Sequence, residues 1–380
     1  MPHGDPSTLD SNLSVTFVSS YGVLGGSEIY LERLLELLPR SSVRSVISLG
    51  GGTLVERIRA LGFELDVIPT SRHPWSIAAS SWKVRRRLLK LRPDVVHANG
   101  LKAAIVSVLA AGGTRLPVVW VRHDFSWEGW RARALASRCR RVICVSRALT
   151  RTFSPAMANK IDVVHTGISD IKLDREDARR QVLRAIGDQT AGPLVSLVGH
   201  LIPGKGHLEL VEIAPPLLEE MPNARLLLVG DQPSESFGDY VERLHARVAG
   251  LGVAHAVLFL GHRDDALTVI AASDLVVIPS VSELPTIETE GFPLIALEAL
   301  AVGTPVVAYA TGGLPELLAD CGTLVAPGDR EGLLQAILSV ATDRPSWERL
   351  SRCGQMRARG SFRQADMVHK LDDAYRSARR

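Results

Sequence analysis

Glu290-Gly291-Phe292-Pro293-Leu294-Ile295-Ala296-Leu297-Glu298 is the stretch whose reading decides the fold. It comes after an apolar, β-branched run at Leu275–Ile278 and continues to Gly303-Thr304-Pro305, a combination that ends helices. The pattern is strand, glycine-containing turn, helix. The first N–H groups of a helix have no partners within it, and the helix dipole favours negative charge there, so the turn is a natural anion site. Glu290 falls in the loop and Glu298 eight positions later, roughly two turns along the helix. A carboxylate offers about four lone-pair sites and no donor, which suits sugar hydroxyls. A phosphate at the helix start with a sugar on either side, each meeting one carboxylate, fits this layout, and that is a nucleotide-sugar.

Outward from this stretch, short β-branched runs alternate with helix-length segments. In the first half strands are expected at Val15–Ser19, Val43–Leu49, Glu64–Ile68, Asp94–His97, Pro117–Val121, Arg141–Val145 and Ile161–Val164. In the second half they are expected at Leu194–Val198, Arg225–Val229, Val257–Leu260, Leu275–Ile278, Pro305–Ala308 and Thr323–Val325. Strands this apolar, separated by helices, belong to parallel sheets covered on both faces. Two such sets imply an α/β protein of two doubly wound, Rossmann-like domains. The polar stretch 171–192, with a short helix at Arg175–Ala185, reads as a linker between a domain over 1–170 and a second over 193–361. A final helix is expected within 362–380.

A chain of 380 residues is long enough for two domains, and 22% charged against 46% hydrophobic residues excludes a disordered one. No apolar run reaches the roughly 18 residues of a membrane-spanning helix. Met1–Asn12 is polar, with no signal-peptide core. Cys139, Cys144, Cys321 and Cys353 include no Cys-x-x-Cys. Neither a zinc site nor a disulfide framework is expected, and a cytosolic compartment is the default. The net charge of +3 is unevenly divided: 23 Lys/Arg against 13 Asp/Glu through Asp170 gives +10, and the remainder carries −7. Two basic clusters, Lys83–Arg92 and Arg131–Arg141, could meet anionic acceptors or an anionic membrane, which implies a peripheral place at the inner membrane face. Solvated helix faces are the plainer reading. No nucleic-acid motif accompanies them.

Glu290–Glu298 with the following Ala299-Leu300-Ala301-Val302-Gly303-Thr304-Pro305-Val306-Val307-Ala308 resembles the retaining glycosyltransferases of family four, which have the GT-B fold. The resemblance runs from about Val15 over nearly the whole chain and is strongest in the second half. It implies two domains facing a central cleft, the first on the acceptor side and the second for the nucleotide-sugar, with the last helix crossing back to the first. It also implies that Glu290 touches the donor sugar and Glu298 the ribose, with Gly291, Phe292, Pro293 and Leu294 around the diphosphate, all but Pro293 offering a backbone N–H. Glu283, about four residues after Pro279-Ser280, competes for the first glutamate's place, with Glu288 also in the extra stretch. The spacing to Glu298 and the following Gly-Phe-Pro select Glu290.

Gly199-His200-Leu201-Ile202-Pro203-Gly204-Lys205-Gly206 follows the first strand of the second domain, beyond whose carboxyl end such sheets bind ligands. Lys205 offers a point charge for a diphosphate. The family carries an Arg and a Lys in this loop; Lys205 matches, and His200 stands where the Arg would be. Gly25-Gly26-Ser27-Glu28 lies in the first loop, between the first strand and the first helix, where glycines let a ligand approach and Ser27 could cap. In the family this loop meets donor phosphate and acceptor. It is not the Gly-x-Gly-x-x-Gly of dinucleotide enzymes. His123 and His97 are read at strand ends. The family has a histidine matching His123 near the reacting sugar, whereas a lone histidine is otherwise more often structural. No Asp-x-Asp metal motif occurs.

The resemblance implies a metal-independent hexosyl transfer from a nucleotide-diphosphate sugar, UDP-sugar foremost, without a separate cofactor. The acceptor would be a sugar, a lipid-linked or a small-molecule hydroxyl in polysaccharide, glycolipid or glycoconjugate synthesis. The alternatives are a nucleotide-sugar epimerase on the same fold and a catalytically silent nucleotide-sugar-binding partner.

Overall fold

The computed structural model describes residues 13–189, 192–234, 237–281 and 290–380. They divide into two compact units, one built from the chain up to Gly167 together with Phe362–Arg380, the other from Ile168–Ser361.

The first unit runs β1 (Val15–Ser19), α1 (Gly26–Leu37), β2 (Val43–Ser48), α2 (Thr53–Ala60), β3 (Leu65–Val67), α3 (Pro74–Leu91), β4 (Val95–Asn99), α4 (Leu101–Ala111), β5 (Val118–Arg122), α5 (Gly129–Arg138), β6 (Arg141–Cys144) and β7 (Ile161–Val163). The seven strands are parallel, in the order β3-β2-β1-β4-β5-β6-β7. Their order reverses between β1 and β4, whose paired carboxyl ends are Ser19 and Asn99. Open parallel sheets bind ligands at such a reversal. Val15, Phe17, Val18, Val95, Val96 and Ala98 are fully buried, because helices cover both faces of the sheet.

The second unit runs α6 (Arg175–Ile186), β8 (Leu194–Val198), α7 (His207–Glu212), α8 (Ala214–Glu220), β9 (Arg225–Val229), α9 (Gly238–Gly250), β10 (Val257–Gly261), α10 (Ala266–Ala272), β11 (Leu275–Ile278), α11 (Leu294–Val302), β12 (Val306–Tyr309), α12 (Leu314–Leu318), β13 (Thr323–Val325), α13 (Arg330–Thr342) and α14 (Arg344–Ser361). Its six parallel strands are ordered β10-β9-β8-β11-β12-β13, with the reversal between β8 and β11. Alternate residues divide its core. Val195, Leu197, Leu226 and Leu228 pack on one face, and Leu194, Leu227 and Val229 on the other. Two doubly wound parallel-sheet units of seven and six strands are the GT-B architecture.

The last helix, α15 (Gln364–Arg379), belongs to the first unit. Tyr375 is fully buried there, and a Cβ on Gly167 would stand 2.5 Å from the Gln364 Cα. Arg379 pairs with Asp94 at 3.1 Å.

Three sequence readings change. The stretch 171–192 is part of the second unit: Asp174 caps α6, and Arg175 and Arg179 both bind Asp274, at 2.7 and 2.9 Å. Asp274 also accepts the Leu194 N–H, so this polar segment is fastened to the first strand of its sheet. No disulfide was expected, yet Cys321 and Cys353 are bonded, with Cα atoms 5.1 Å apart. The fold brings together two cysteines 32 positions apart, which no local spacing signals. His97 was read at a strand end; β4 continues through Ala98 and Asn99 and leaves it at mid-strand. Among the described residues, no helix is long and apolar enough to cross a membrane.

Candidate functional site

Two strand-end sites hold most of the residues singled out by the sequence, one in each unit. In the second unit the loops leaving β8 and β11 lie at the reversal of strand order. After β8 the chain makes a 3₁₀ turn at Pro203–Lys205. Gly206 then turns it with φ +73°, and a Cβ there would stand 1.8 Å from the Pro279 carbonyl oxygen, so only glycine fits. The Val281 N–H donates to the Gly204 carbonyl at 3.2 Å, joining the two loops.

Across this junction Lys205 Nζ donates to Glu290 Oε1 at 2.7 Å, although 85 positions separate them. The Ser280 hydroxyl donates to the same oxygen at 2.6 Å. Glu290 is 6% exposed and would be costly to bury as an anion without these partners. Its backbone is fixed as well: its carbonyl accepts the Gly313 N–H at 2.8 Å. Gly312 has φ +55°, and a Cβ there would lie 1.8 Å from the Glu290 carbonyl oxygen.

Gly291, Phe292 and Pro293 lead straight into α11 and are buried with Leu294. Among the described residues no side chain caps α11, so its first N–H groups remain available to an anion. Glu298 lies on the same helix, 8% exposed. Gly303, with φ +81°, ends α11 where the sequence placed its stop. His200 is less committed: its Nδ1 stands 3.8 Å from Asp231 Oδ1, beyond a direct hydrogen bond. A network the sequence did not reveal fixes α7 behind Lys205. Glu209 accepts from Tyr309 at 2.9 Å and from Arg330 at 2.7 Å, tying α7 to β12 and α13.

In the first unit the corresponding position carries neutral groups. Asn99, at the end of β4, donates through Nδ2 to the Ser27 carbonyl at 2.8 Å. Its Oδ1 faces His123 Nε2 at 2.7 Å. Since Oδ1 can only accept, Nε2 carries the ring proton and Nδ1 is the acceptor nitrogen. Burial pushes the His123 imidazole down to about 4, so the ring is neutral near pH 7. The Tyr30 ring meets it edge-on, with centroids 4.8 Å apart.

Gly25 precedes α1 as its N-cap, and a Cβ on Gly26 would meet nothing within 4 Å, which leaves open space at the helix start. Ser27 does not cap the helix; its hydroxyl donates to Glu28 Oε2 at 2.7 Å. Glu28 is 3% exposed, and burial pushes its carboxyl up to about 7, against the pull of the Ser27 bond. Its Oε1 has no hydrogen-bond partner among the described residues. His97 plays another part: its Nδ1 meets the Tyr375 hydroxyl at 2.6 Å, on α15, and burial pushes its imidazole down to about 3. It holds the last helix to the sheet.

The structure therefore joins Lys205 and Glu290, sets Gly291 to Leu294 and Glu298 on one loop and helix, and ties His123 through Asn99 to the Ser27 carbonyl, next in the chain to Gly25 and Gly26. His97 and His200 stand outside these two direct networks. Glu283 and Glu288 lie outside the described residues. Sequence reading missed Ser280 and Asn99 as site residues. They follow or end a strand beside the reversal of strand order, a signal available once the strand order is known.

Residues 192–343 match the glycosyl transferases group 1 family, and residues 24–170 match glycosyltransferase family 4. The chain belongs to these glycosyltransferases. It is 29% identical over 330 residues to a glycogen synthase of Mycobacterium tuberculosis, covering 80% of this chain and 76% of that one. It is 37% identical over 260 residues to a D-inositol 3-phosphate glycosyltransferase of Mycobacterium leprae, covering 67% and 55%. Anabaena Alr3699/HepE, solved in complex with UDP-glucose, superposes with a TM-score of 0.82 at 25% identity, over 95% of this chain and 99% of that one.

Proposed function

We propose that this glycosyltransferase moves a hexose from a nucleoside-diphosphate sugar, UDP-sugar foremost, to a hydroxyl acceptor, with retention of configuration and without a metal ion. The observation that carries the reading is the Lys205–Glu290 pair beside the uncapped start of α11. Lys205 and the α11 N–H groups take the diphosphate, Glu290 the sugar hydroxyls, and Glu298 the ribose. A diphosphate arriving at Lys205 competes with Glu290 for its charge and frees that carboxylate for the sugar.

In the reaction the bond from the anomeric carbon to the phosphate oxygen breaks, and its electron pair stays on the diphosphate. The acceptor oxygen forms the new bond on the same face, and its proton passes to the departing phosphate oxygen. Charge gathers on the leaving group, so fixed donors aimed at it contribute most. A lysine and a helix N-terminus supply that neutralisation. His123, neutral and oriented by Asn99, offers its Nδ1 to a sugar or acceptor hydroxyl, and the open space at Gly26 admits either. His200, in the same loop as Lys205, offers the diphosphate a hydrogen bond. The UDP-glucose complex of the similar Anabaena protein supports a UDP donor, and the basic first unit supports a phosphorylated or membrane-borne acceptor in glycolipid or polysaccharide synthesis.

The test is to incubate the protein with UDP-sugars and hydroxyl acceptors in EDTA and read the product's anomeric configuration by proton NMR. The donor's configuration at an EDTA-insensitive rate is expected. An inverted product, or activity that EDTA abolishes and a divalent ion restores, contradicts the reading. Binding without turnover across all acceptors would favour a silent partner.

A further inference from the structure

The outward face of α3 does not look like a solvated helix surface. Its inner face is buried through Ser80, Ser81, Val84, Leu88 and Leu91. Its outer face carries Trp75, Trp82 and Leu89, 71%, 57% and 54% exposed. They are spaced seven residues apart, so each falls within about 20° of the one before, in a single row about 21 Å long. Exposed Lys83, Arg86 and Lys90 flank the row on the same face. The Arg86 guanidinium lies 4.9 Å from the Trp82 ring centre, and His73 stacks on Trp75 at 4.8 Å.

The surrounding charge is one-sided. Between Asp66 and Asp94 the chain holds seven Lys or Arg and no Asp or Glu. At the C-terminal end of α3, Leu89 borders a cavity of about 520 Å³ lined also by Arg85, Arg92, Arg115 and Arg379. Asp94, in the same cavity, is paired with Arg379.

A row of exposed tryptophans marks a docking surface, and the flanking charge selects the occupant. A second copy of the chain, meeting this face across a two-fold axis, would set cations against cations. A nucleic acid would answer the charge but offers no apolar layer to receive Leu89. A bilayer surface answers both, with anionic headgroups above hydrocarbon. Tryptophan is favoured at that boundary, and Lys and Arg reach from it to lipid phosphates.

We infer that the outward face of α3 docks in the interface of an anionic lipid bilayer, inserting Trp75, Trp82 and Leu89 and placing Lys83, Arg86 and Lys90 on lipid phosphates. The arginine-lined cavity takes a headgroup at the end of the row. This deepens the membrane-borne acceptor reading above and rests on it only for its purpose. The assay below contains neither donor nor acceptor, so its failure leaves glycosyl transfer standing.

The full chain is floated with vesicles of phosphatidylcholine alone or mixed with phosphatidylglycerol. It is expected to bind the mixed vesicles, to release as salt rises, and to ignore the neutral ones. Trp75→Ser with Trp82→Ser, and separately Lys83→Glu with Arg86→Glu and Lys90→Glu, should each weaken binding at least about tenfold. Both variants should keep the wild-type melting temperature and transfer to a water-soluble acceptor. Brominated lipids should quench wild-type tryptophan fluorescence more strongly than that of the tryptophan variant. No vesicle binding, equal binding to neutral vesicles, or undiminished binding by the tryptophan variant would overturn the inference. So would a concentration-dependent dimer that the tryptophan variant abolishes, which would make the face a contact between copies.

Discussion

At the carboxyl ends of β8 and β11 the second unit carries an ion pair, Lys205 with Glu290; at the ends of β1 and β4 the first unit carries a neutral chain from Ser27 through Asn99 to His123. Both sites sit where strand order reverses, so topology supplies the place and side chains supply the chemistry. The charged site suits a departing diphosphate, whose negative charge grows as the bond breaks. The neutral site suits hydroxyls, which need orientation rather than charge. Burial lowers the His123 imidazole, so that ring is neutral near pH 7, and raises the Glu28 carboxyl to about 7, so that group is only partly ionised there.

The contrast is broken most directly at the ion pair. Lys205→Ala and Glu290→Gln should each lower kcat by about 10²–10³-fold, because each removes an interaction aimed at the donor. Steady-state kinetics with saturating acceptor checks this, and a loss below tenfold in both would remove the pair from the mechanism. Redox treatment separates the two units next. Breaking Cys321–Cys353 by Cys321→Ser with Cys353→Ser should destabilise the second unit by about 3–4 kcal/mol through lost loop closure. In the first unit Cys139 and Cys144 are buried, with thiols pushed up to about 12. They should react with a thiol reagent only on unfolding, which timed labelling in urea measures.

A third test uses pH. The Glu28 carboxyl binds its proton more tightly folded than unfolded, so this group's contribution to stability falls as pH rises from about 4.5 to 7. Glu28→Gln removes that loss and should gain on the order of 3 kcal/mol over wild type at pH 8 relative to pH 4.5, read by urea melts at the two values. His123 acts with the opposite sign: it is neutral when folded, and its contribution is lost as pH falls from 6.5 to about 4. The smallest effect is expected at the neutral chain. Asn99→Leu frees the His123 ring from its fixed tautomer and should cost about tenfold in kcat/KM with little change in donor affinity.

Much of this arrangement was legible in the sequence. All thirteen strands stand within a few residues of where apolar runs placed them, because strands buried on both faces leave an unbroken apolar signal. Lys205 and Glu290 were legible because each follows a strand and precedes a helix. Their direct contact was not, since 85 positions separate them and only strand order brings them together. His97 was misjudged by two residues of strand, enough to turn a cleft residue into a support for Tyr375. The segment 171–192 looked like a linker because it is polar, yet Arg175 and Arg179 are spent on Asp274. The basic cluster on α3 was legible as charge, whereas the row of Trp75, Trp82 and Leu89 needed the helix to begin at Pro74 and its buried face to be known.

The most direct test of the central claim is calorimetric titration of UDP and UDP-glucose into wild type, Lys205→Ala and Glu290→Gln. Lys205→Ala should weaken both ligands alike, since it removes the diphosphate's cation. Glu290→Gln should remove the extra affinity for UDP-glucose while UDP binds as well as before or better, because Lys205 no longer has a carboxylate to leave. Wild-type affinities for both ligands in both variants, or equal losses for UDP and UDP-glucose in Glu290→Gln, would contradict the assignment of charge to the diphosphate and carboxylate to the sugar.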